Sequence, residues 1–597
     1  MKFLIKLFEV VVLIFSCVSI LVLSVLLYVK RLWPDADYEQ IRMTMRDISL
    51  DLIIRNTVVM DYVWGFLFFA IVFPLCYFYL NTKKQLVLSV LVSIVVAWYS
   101  GFIDYCIYAN TKSSLYEDEY VSFKNLEYKF PQKKRNLLLI YMESFESNFS
   151  NEKYYGKNLI PNLEKLQKEG EYSLEFRNMP GATYSIAALV ASNCGIPLRF
   201  SQNRDLWSAK FFLPRANCWP EILKENGYQT EIIKAADITF TNVNLFAKQH
   251  GFQEALGVDE IRKEIGEENF KDKIGTFSGV RDRVLFDFAK KKIEAFDEDK
   301  PFMLTLFSLD THTPNPFIEK ECAKPFGDVR DAFLCAEKHV VDFVEWFKTT
   351  KYWENTTVVI VGDHLFPSKM KGQEKASKRS IYNVFLNVAK GLKIKKDKIF
   401  STFDLGPSIL ESLGIELKPR AFGLGRSMFS DEKSLMEKLG ASQFKIRLMQ
   451  KSDVYDEFFK PNVERVEEFK QYKLGDILEG KDIISYTDSY LETLGRFYVD
   501  RLNFELLDYK GGDVEVELKF FAIVSFRSGV KILANDVLLK EAKYGVGDKQ
   551  PYTYKLKISK EVIKDGKIQF KFRNLIGGNM KEHRLGISIN SLEIREL

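Results

Sequence analysis

The chain has 597 residues, of which 47% are hydrophobic and 14% aromatic. This length is too great for one ordinary domain, and the composition is apolar enough for membrane segments as well as a large core. The 85 basic and 80 acidic residues are interspersed and give a net charge of only +5, which does not favour nucleic acid as a partner.

Three apolar stretches near the N-terminus predict a membrane anchor at 1–110. They cover residues 10–29, 62–80 and 86–108, and each is long enough to cross about 30 Å of hydrocarbon. The first stretch is longer than the apolar region of a cleavable signal, so we expect it to be retained. The lysines beside the spans favour a cytoplasmic N-terminus, although the outer segment between the first two spans also carries several arginines. Everything after the anchor would then lie outside the membrane.

Residues 111–135 are polar and aromatic without a sustained apolar period, and we expect a linker along the membrane surface. Residues 136–430 then alternate helical patterns with short apolar runs that are typical of strands buried on both faces. The runs are 136–141, 230–235, 301–309 and 356–361. This alternation predicts a doubly wound α/β domain with a mostly parallel sheet, in which ligands gather at the carboxyl ends of the strands.

The character of the chain changes after about residue 430. Residues 431–490 are expected to form a charged helical connector. Residues 491–597 contain segments of alternating polarity separated by turns, which predict a small antiparallel β-sandwich.

Metal-ligand side chains follow three of the predicted strands. Glu143 comes after the first strand, His312 after the third, and adjacent Asp363 and His364 after the fourth. A carboxylate oxygen beside an imidazole suits Zn²⁺ or Mn²⁺ better than Ca²⁺. Each residue alone is equally well explained as a turn or helix cap, but the agreement of three strand ends favours one shared site.

Thr183 follows a Pro-Gly turn and precedes a small, apolar, helix-like run. It is either a helix cap or a nucleophile at the positive end of a helix, where an oxyanion or a phosphate is favoured. A bound metal would lower the pKa of its hydroxyl, and His312 would then bind a phosphoryl oxygen or protonate a leaving group.

Four cysteines, Cys194, Cys218, Cys322 and Cys335, lie in the exported part, where disulfides are favoured. Of three possible connectivities we prefer pairing between sequence neighbours, and four free buried thiols are the alternative. The run Cys194-Gly-Ile-Pro-Leu-Arg has its proline one position too late for the Cys-x-Pro-x-Arg signature of sulfatases, which favours a disulfide role over a sulfate esterase.

The order of these site residues resembles the alkaline phosphatase/sulfatase superfamily, and within it the membrane-anchored phosphoglycerol and phosphoethanolamine transferases. The stretch PGATYSIAALVASNCGIPL at 180–198, with NCWPEILKENGYQT and KQHGF after it, is more narrowly similar to the phosphoglycerol transferases of periplasmic glucans, related to the lipoteichoic acid synthases. The resemblance covers roughly residues 135–430 and not the β-domain.

This resemblance implies a sulfatase-like catalytic domain with one divalent metal, Mn²⁺ or Zn²⁺. The implied metal ligands are Glu143, Thr183, Asp363 and His364. Thr183 would form a phospho-threonine intermediate, and His312 would bind phosphate. The implied donor is phosphatidylglycerol, the acceptor is an exported glycan, and the location is the bacterial inner membrane with the catalytic domain outside. The alternatives are a phosphoethanolamine transferase acting on lipid A or another glycan, and a glycan-binding scaffold with an inactive catalytic domain.

The headgroup site is less defined by the resemblance. Lipoteichoic acid synthases carry a Trp and an Arg where this chain has Thr241 and Val243. Asp237 and Asn242 are therefore candidate substrate-binding residues, with loop capping as an equal explanation. Asp282 falls where the family has an acidic residue near a helix start, and a plain helix cap is again an equal alternative.

Overall fold

The structure is a computed structural model that divides into two compact units, residues 1–458 and 459–597. It describes scattered positions within 7–30, residues 82–460 apart from 109, 200–210, 314 and 377, and strands with their turns within 470–596.

Two helices, Thr82–Tyr99 (α1) and Phe102–Tyr108 (α2), contain most of the last predicted membrane span. Among the described residues, no single helix is long and apolar enough to cross a membrane. Ser89–Tyr99 and Phe102–Tyr108 meet the length and composition criteria only as a pair, with a bend of 65° between them. Gly101 lies at this break with a φ of 78°, a conformation that ends the first helix. The predicted span at 62–80 lies outside the described residues.

The predicted linker contacts the domain that follows it. Helix α3 (Leu115–Glu119) buries Leu115 and Tyr116, and strand β1 (Glu127–Lys129) pairs antiparallel with strand β10 (Glu416–Lys418). This part of 111–135 is therefore folded structure of the first unit. The sequence does not predict this structure, because a few buried residues and a three-residue strand produce no apolar periodicity.

A six-stranded sheet forms the centre of the first unit. Its strands in spatial order are β5 (Glu254–Leu256), β4 (Gln229–Lys234), β6 (Phe302–Phe307), β2 (Asn136–Met142), β7 (Thr356–Gly362) and β8 (Asn383–Leu386). All neighbours are parallel except β7 and β8, which are antiparallel. The mostly parallel α/β fold is thus confirmed.

The four predicted apolar runs correspond to β2, β4, β6 and β7. Every residue of β2, β6 and β7 is buried, as expected for strands covered on both faces. The remaining strands of this unit are β3 (Glu175–Arg177), which pairs with β9 (Ile399–Ser401), and the hairpin of β11 (Ala421–Phe422) and β12 (Gly425–Arg426).

Helices connect and flank these strands. They are α4 (Glu152–Tyr155), α5 (Pro161–Glu169), α6 (Ser185–Cys194), α7 (Trp219–Glu225), α8 (Val243–Gln249), α9 (Val258–Ile265), α10 (Glu267–Phe270), α11 (Asp282–Ala295), α12 (Arg330–Lys348), α13 (Leu405–Ser412), α14 (Leu435–Leu439), α15 (Ala441–Met449) and α16 (Asp453–Glu457). Helix α6 is buried along almost its whole length, which explains why most of its residues are small and apolar.

The second unit contains two sheets whose strands are mostly antiparallel. One holds β13 (Lys470–Lys473), β17 (Arg501–Leu507), β22 (Lys567–Asn574), β19 (Val530–Ala534) and β20 (Val537–Ala542). The other holds β15 (Glu492–Thr493), β16 (Arg496–Val499), β23 (Ile587–Glu596), β18 (Val514–Phe521) and β21 (Tyr552–Ile558), with β14 (Ile477–Glu479) paired to β23.

Strands β13 and β14 fall in the range predicted to be a helical connector, 431–490. Only its first part, up to Glu457, is helical among the described residues. The two short strands are specified by pairing with β17 and β23, which lie far away in the sequence, so local patterning does not reveal them. The packing of the two sheets as a sandwich stays a prediction.

Candidate active site

Three of the predicted metal ligands meet at the carboxyl ends of β2 and β7. The ligand atoms of Glu143, Asp363 and His364 all lie within 4.8 Å of one another, and the three side chains are buried. The strands pair in register from Asn136 with Thr356 to Met142 with Gly362, so the residues that follow them leave the sheet at the same level. Parallel pairing thus brings together residues more than 200 positions apart.

The hydrogen bonds around these side chains orient them toward a common point. His364 Nδ1 lies 2.9 Å from the carbonyl oxygen of Leu365, which requires Nδ1 to donate and leaves Nε2 without a proton in the neutral ring. Nε2 faces Asp363 Oδ2 at 3.4 Å and Glu143 Oε1 at 3.6 Å. Asp363 Oδ1 accepts from the backbone N–H groups of Ser144 and His364, both at 2.8 Å.

Asp363 Oδ2 is buried and has no hydrogen-bond partner among the described residues. An unsatisfied carboxylate oxygen in this position is costly, and a bound cation would remove that cost. Two carboxylates and an imidazole held by a backbone carbonyl also form the donor set of a divalent transition-metal site. The residues present therefore fit a single divalent ion.

The pKa shifts of Glu143 and Asp363 reflect the burial of two carboxyl groups close together. Burial and the nearby Glu143 raise the pKa of Asp363, against the opposing charge of His364. Burial would also raise the pKa of Glu143, but His364, His312 and hydrogen bonds from two serine hydroxyls hold it below the ordinary value. Without a metal, Asp363 is therefore the carboxyl group of the two that takes up a proton more readily, as expected when two acids lie side by side and one pKa is raised.

Thr183 lies two residues before Ser185, whose hydroxyl contacts this group, and it is not the helix cap itself. Helix α6 begins at Ser185 with Tyr184 in the N-cap position, so Thr183 precedes the cap by one residue. The Ser185 hydroxyl donates to Glu143 Oε2 at 3.3 Å, which fixes the start of the helix against the ligand group. Gly181, with a φ of 73°, makes the turn that leads the chain there.

His312 follows β6, and its loop is tied to the same strand end. The Thr311 hydroxyl donates to the Glu143 carbonyl oxygen at 2.5 Å. His312 Nδ1 is buried and has no hydrogen-bond partner among the described residues, and the ring lies 5.0 Å from that of Phe277. Burial lowers the pKa of His312, with Glu143 opposing, so a neutral imidazole is favoured near neutral pH.

Asp282 forms hydrogen bonds with the backbone of the loop that precedes His312. One of its carboxylate oxygens accepts from the backbone N–H groups of Leu309 at 2.6 Å and Asp310 at 3.2 Å. Its own backbone N–H donates to Asp310 Oδ2 at 3.0 Å. Asp282 is the first residue of α11, and the helix has no side-chain cap. The contacts assign it to positioning the loop before His312.

The other two candidate substrate residues lie in the loop after β4. Asp237 is exposed, and its Oδ1 accepts from both the N–H and the hydroxyl of Thr239 at 2.8 Å, which is the loop-capping arrangement. Asn242 has a φ of 57° and occupies the N-cap position of α8 without a side-chain cap bond.

Both disulfides form between sequence neighbours, Cys194 with Cys218 and Cys322 with Cys335. The first joins the end of α6 to the start of α7, and both of its cysteines are fully buried. The preferred pairing is therefore the one that the structure contains.

Sequence reasoning missed several residues around the ligand group. Lys234 ends β4, is 9% exposed and lies near the carboxylates; its place at a strand end was a signal that could have identified it. Glu146 is fully buried and paired with Arg379, and both hold the backbone of Phe366, two residues after His364. The sequence gives no comparable signal for Glu146, because its partner Arg379 lies more than 200 residues away and only the fold brings the two together.

Comparison with known proteins gives results for the same part of the chain. A family model described as Sulfatase matches residues 135–415. Phosphoglycerol transferase I of Citrobacter koseri is 30% identical over 375 residues, which cover 60% of this chain and 46% of that protein. Phosphoglycerol transferase I of Salmonella newport is 29% identical over 385 residues, covering 62% and 47%. The chain thus spans about half the length of the curated relatives that it matches.

Solved structures that match part of the chain include the lipoteichoic acid synthase LtaP from Listeria monocytogenes, at 22% identity and a TM-score of 0.41, covering 49% of this chain and 75% of that one. Another is the Streptococcus pyogenes phosphoglycerol transferase GacH, at 12% identity and 0.36, covering 50% and 77%. The family match and the curated relatives together show that residues 135–415 are similar to the Sulfatase family and to proteins named phosphoglycerol transferase I.

Proposed function

We propose that this chain is a phosphotransferase that moves phosphoglycerol from phosphatidylglycerol to an exported glycan. The observation that carries the proposal is the buried group of Glu143, Asp363 and His364, with its unsatisfied Asp363 Oδ2, beside the hydroxyl-bearing start of α6. The curated relatives share the name of this activity, and they favour it over phosphoethanolamine transfer or a catalytically inactive scaffold.

Glu143, Asp363 and His364, together with Thr183, would hold one Mn²⁺ or Zn²⁺ ion. When bound, the ion would neutralise charge on the phosphoryl oxygens and lower the pKa of the threonine hydroxyl. The orientation of His364 by the Leu365 carbonyl and of Asp363 by two backbone N–H groups prepares the donor atoms before any ion arrives.

The residues of the chain would act in two displacements. In the first, Thr183 Oγ1 attacks the phosphorus of the donor, the bond from phosphorus to the diacylglycerol oxygen breaks, and this oxygen leaves with a proton as diacylglycerol. In the second, a glycan hydroxyl attacks the phospho-threonine, which restores the Thr183 hydroxyl. Neutral His312 would donate a hydrogen bond to a phosphoryl oxygen in both steps, because its ring carries a buried nitrogen with no other described partner.

The location and the remaining parts follow from the same proposal. The apolar segments within 1–110 would anchor the chain in the bacterial inner membrane, with the catalytic domain at 136–430 on its outer side. This arrangement would keep the site at the surface that holds the lipid donor. Residues 491–597 would form the accessory β-sandwich.

A headgroup-transfer assay tests the activity. The full chain is purified in detergent and given phosphatidylglycerol labelled in its headgroup, with a glycan acceptor. We expect labelled glycan and, when the acceptor is left out, label attached covalently to the protein. Transfer from labelled phosphatidylethanolamine alone would overturn the proposed donor.

The nucleophile and the metal are tested with variants. Thr183→Ala should abolish covalent labelling, whereas Thr349→Ala, an exposed threonine far along the chain, should leave it unchanged. Asp363→Asn should lower the metal content of the purified protein, measured by elemental mass spectrometry, from about one ion per chain. Full covalent labelling of the Thr183→Ala variant would show that another residue is the nucleophile.

A further inference from the structure

Lys234 is a buried cation at the edge of the proposed active site. It is the last residue of β4 and is only 9% exposed. Among the described residues, its Nζ has no hydrogen bond and no carboxylate oxygen within 4.0 Å, and it lies 5.4 Å from the ring centroid of Phe240. Burying an ammonium without an anionic partner is unfavourable, so its presence needs an explanation.

The surroundings of Lys234 place it at the same edge of the sheet as the ligand group. Lys234 pairs in register with Phe307, the last residue of β6, so both strands deliver their next residues to the same edge of the sheet. Burial lowers the pKa of Lys234 to about 8, while the charges of Glu143, Asp237 and Asp363 oppose the shift. The Lys234 ammonium therefore lies close enough to interact electrostatically with the carboxylates of the ligand group, although it forms an ion pair with none of them.

Two exposed aromatic rings form a wall beside this lysine. Phe240 is 37% exposed and Phe277 is 46% exposed, and their centroids lie 5.3 Å apart. Phe277 also contacts His312. The loops that present them contain paired left-handed residues, Thr241 with Asn242 and Phe277 with Ser278, at φ values of 52–60°. Non-glycine residues rarely adopt this conformation, and strained residues of this kind cluster at active sites and ligand-binding sites.

We propose that Lys234 determines which headgroup the enzyme accepts: its ammonium donates a hydrogen bond to an oxygen of the transferred phosphoglycerol and disfavours a headgroup that carries its own ammonium. The carbon skeleton of the group would lie against Phe240 and Phe277. The inference rests on the proposed function and makes it more specific.

Charge explains the selectivity. A phosphoglycerol group carries one negative charge, which complements a buried ammonium in a site of low dielectric constant. A phosphoethanolamine group has no net charge, and its ammonium would be placed in the same enclosure as Lys234. Selection of one partner by repulsion of the other is a general means of specificity.

The test measures kcat/KM of the full chain for two donors, phosphatidylglycerol and phosphatidylethanolamine, each labelled in the headgroup and presented in mixed detergent micelles. Lys234→Met removes the charge, and Lys234→Arg keeps it. Lys224→Met, at an exposed position on α7, is the matched control. We expect Lys234→Met to lower the ratio of kcat/KM for phosphatidylglycerol over phosphatidylethanolamine by about tenfold or more, chiefly through KM. Lys234→Arg and Lys224→Met should keep the ratio.

Metal content, measured on the same samples, should stay equal in all variants, because Lys234 is not a ligand. An equal loss of activity toward both donors in Lys234→Met would assign the lysine to stability and overturn the inference. An unchanged ratio in a folded, active variant would overturn it as well, while leaving the proposed function intact. A wild-type chain that transfers nothing from phosphatidylglycerol would overturn both.

Discussion

Asp282, at the start of α11, and Asp310, in the loop before His312, are two buried carboxyl groups in contact with each other's surroundings: the Asp282 backbone N–H donates to Asp310 Oδ2. Burial raises the pKa of both, and the charge of Asp282 further raises that of Asp310. Above the ordinary aspartate value near 4, the folded protein thus binds more protons than the unfolded chain. The free energy of unfolding contributed by this pair is largest at low pH and falls as the pH rises toward neutrality.

We expect Asp282→Asn to weaken this pH dependence. The asparagine oxygen can still accept from the backbone N–H groups of Leu309 and Asp310, and the side chain never ionises. Chemical denaturation between pH 4.5 and 7.5 should show the variant gaining stability relative to the wild type as the pH rises, by about 1.4 kcal/mol for each pKa unit involved. Asp287→Asn, on the exposed side of the same helix, is the control. A constant difference across the range would contradict the prediction.

At the residue scale, the sequence predicts best where a residue type and a strand end coincide. Glu143, Asp363 and His364 were found in this way because parallel strands bring their ends to one edge. Lys234 has the same position but a residue type that usually reaches into solvent, so the sequence alone did not select it. The role of Asp282 was not predictable, because its acceptor contacts are to a loop 27 residues away.

At the element scale, the end of helix α6 packs against the β11–β12 hairpin through close backbone contact between two glycines. Gly195 has a φ of 65° and Gly423, in the β11–β12 hairpin, a φ of 58°. A Cβ on Gly423 would lie 2.6 Å from Gly195 Cα, which is closer than real contacts allow. This contact therefore fixes the hairpin against the helix that carries the start of the proposed active site.

We expect Gly423→Ala to lower the free energy of unfolding by more than about 2 kcal/mol, since it adds a backbone clash to an unfavourable φ. Thermal denaturation followed by circular dichroism measures this. Gly391→Ala is the matched control: its φ is 89°, but a Cβ there meets nothing within 4 Å, so it should cost only about 1 kcal/mol. Equal losses in the two variants would show that the contact between the two glycines does not matter.

Three of the four strands that the sequence predicts in the first unit are fully buried. Strands β2, β6 and β7 are continuous apolar runs, and burial on both faces leaves little choice of residue type. Strand β1, with three exposed residues, was missed because its only specification is the hydrogen bonding to β10. Short strands at the edges depend on partners that arrive from elsewhere in the chain.

For the whole molecule, the two disulfides differ in access. Cys194 and Cys218 are fully buried, whereas Cys322 is partly exposed. They close loops with sequence separations of 24 and 13, for which loop entropy predicts a stabilisation of about 3 kcal/mol each. We expect mild thiol reductant to open Cys322–Cys335 first and full reduction under denaturing conditions to be needed for Cys194–Cys218.

Alkylation at increasing reductant concentration, followed by peptide mass spectrometry, gives the order, and thermal denaturation of the same samples gives the loss of stability. Simultaneous opening of both bonds would contradict the difference in access. A Cys322→Ser and Cys335→Ser double variant should keep headgroup transfer at moderate temperature, because that bond lies outside the ligand group.

The segment between the apolar helices and the catalytic domain is fastened at several points. The Tyr116 ring lies 5.3 Å from that of Tyr455, Lys112 pairs with Asp453 and forms a bridge to Lys451, and β1 joins β10. If the helices lie in a bilayer, as proposed, these contacts hold the proposed catalytic domain at a fixed, short distance from the membrane surface. The catalytic centre would not swing out to meet distant glycans. Donor lipids would reach it by lateral diffusion in two dimensions, and only acceptors that approach the membrane to that height would be modified.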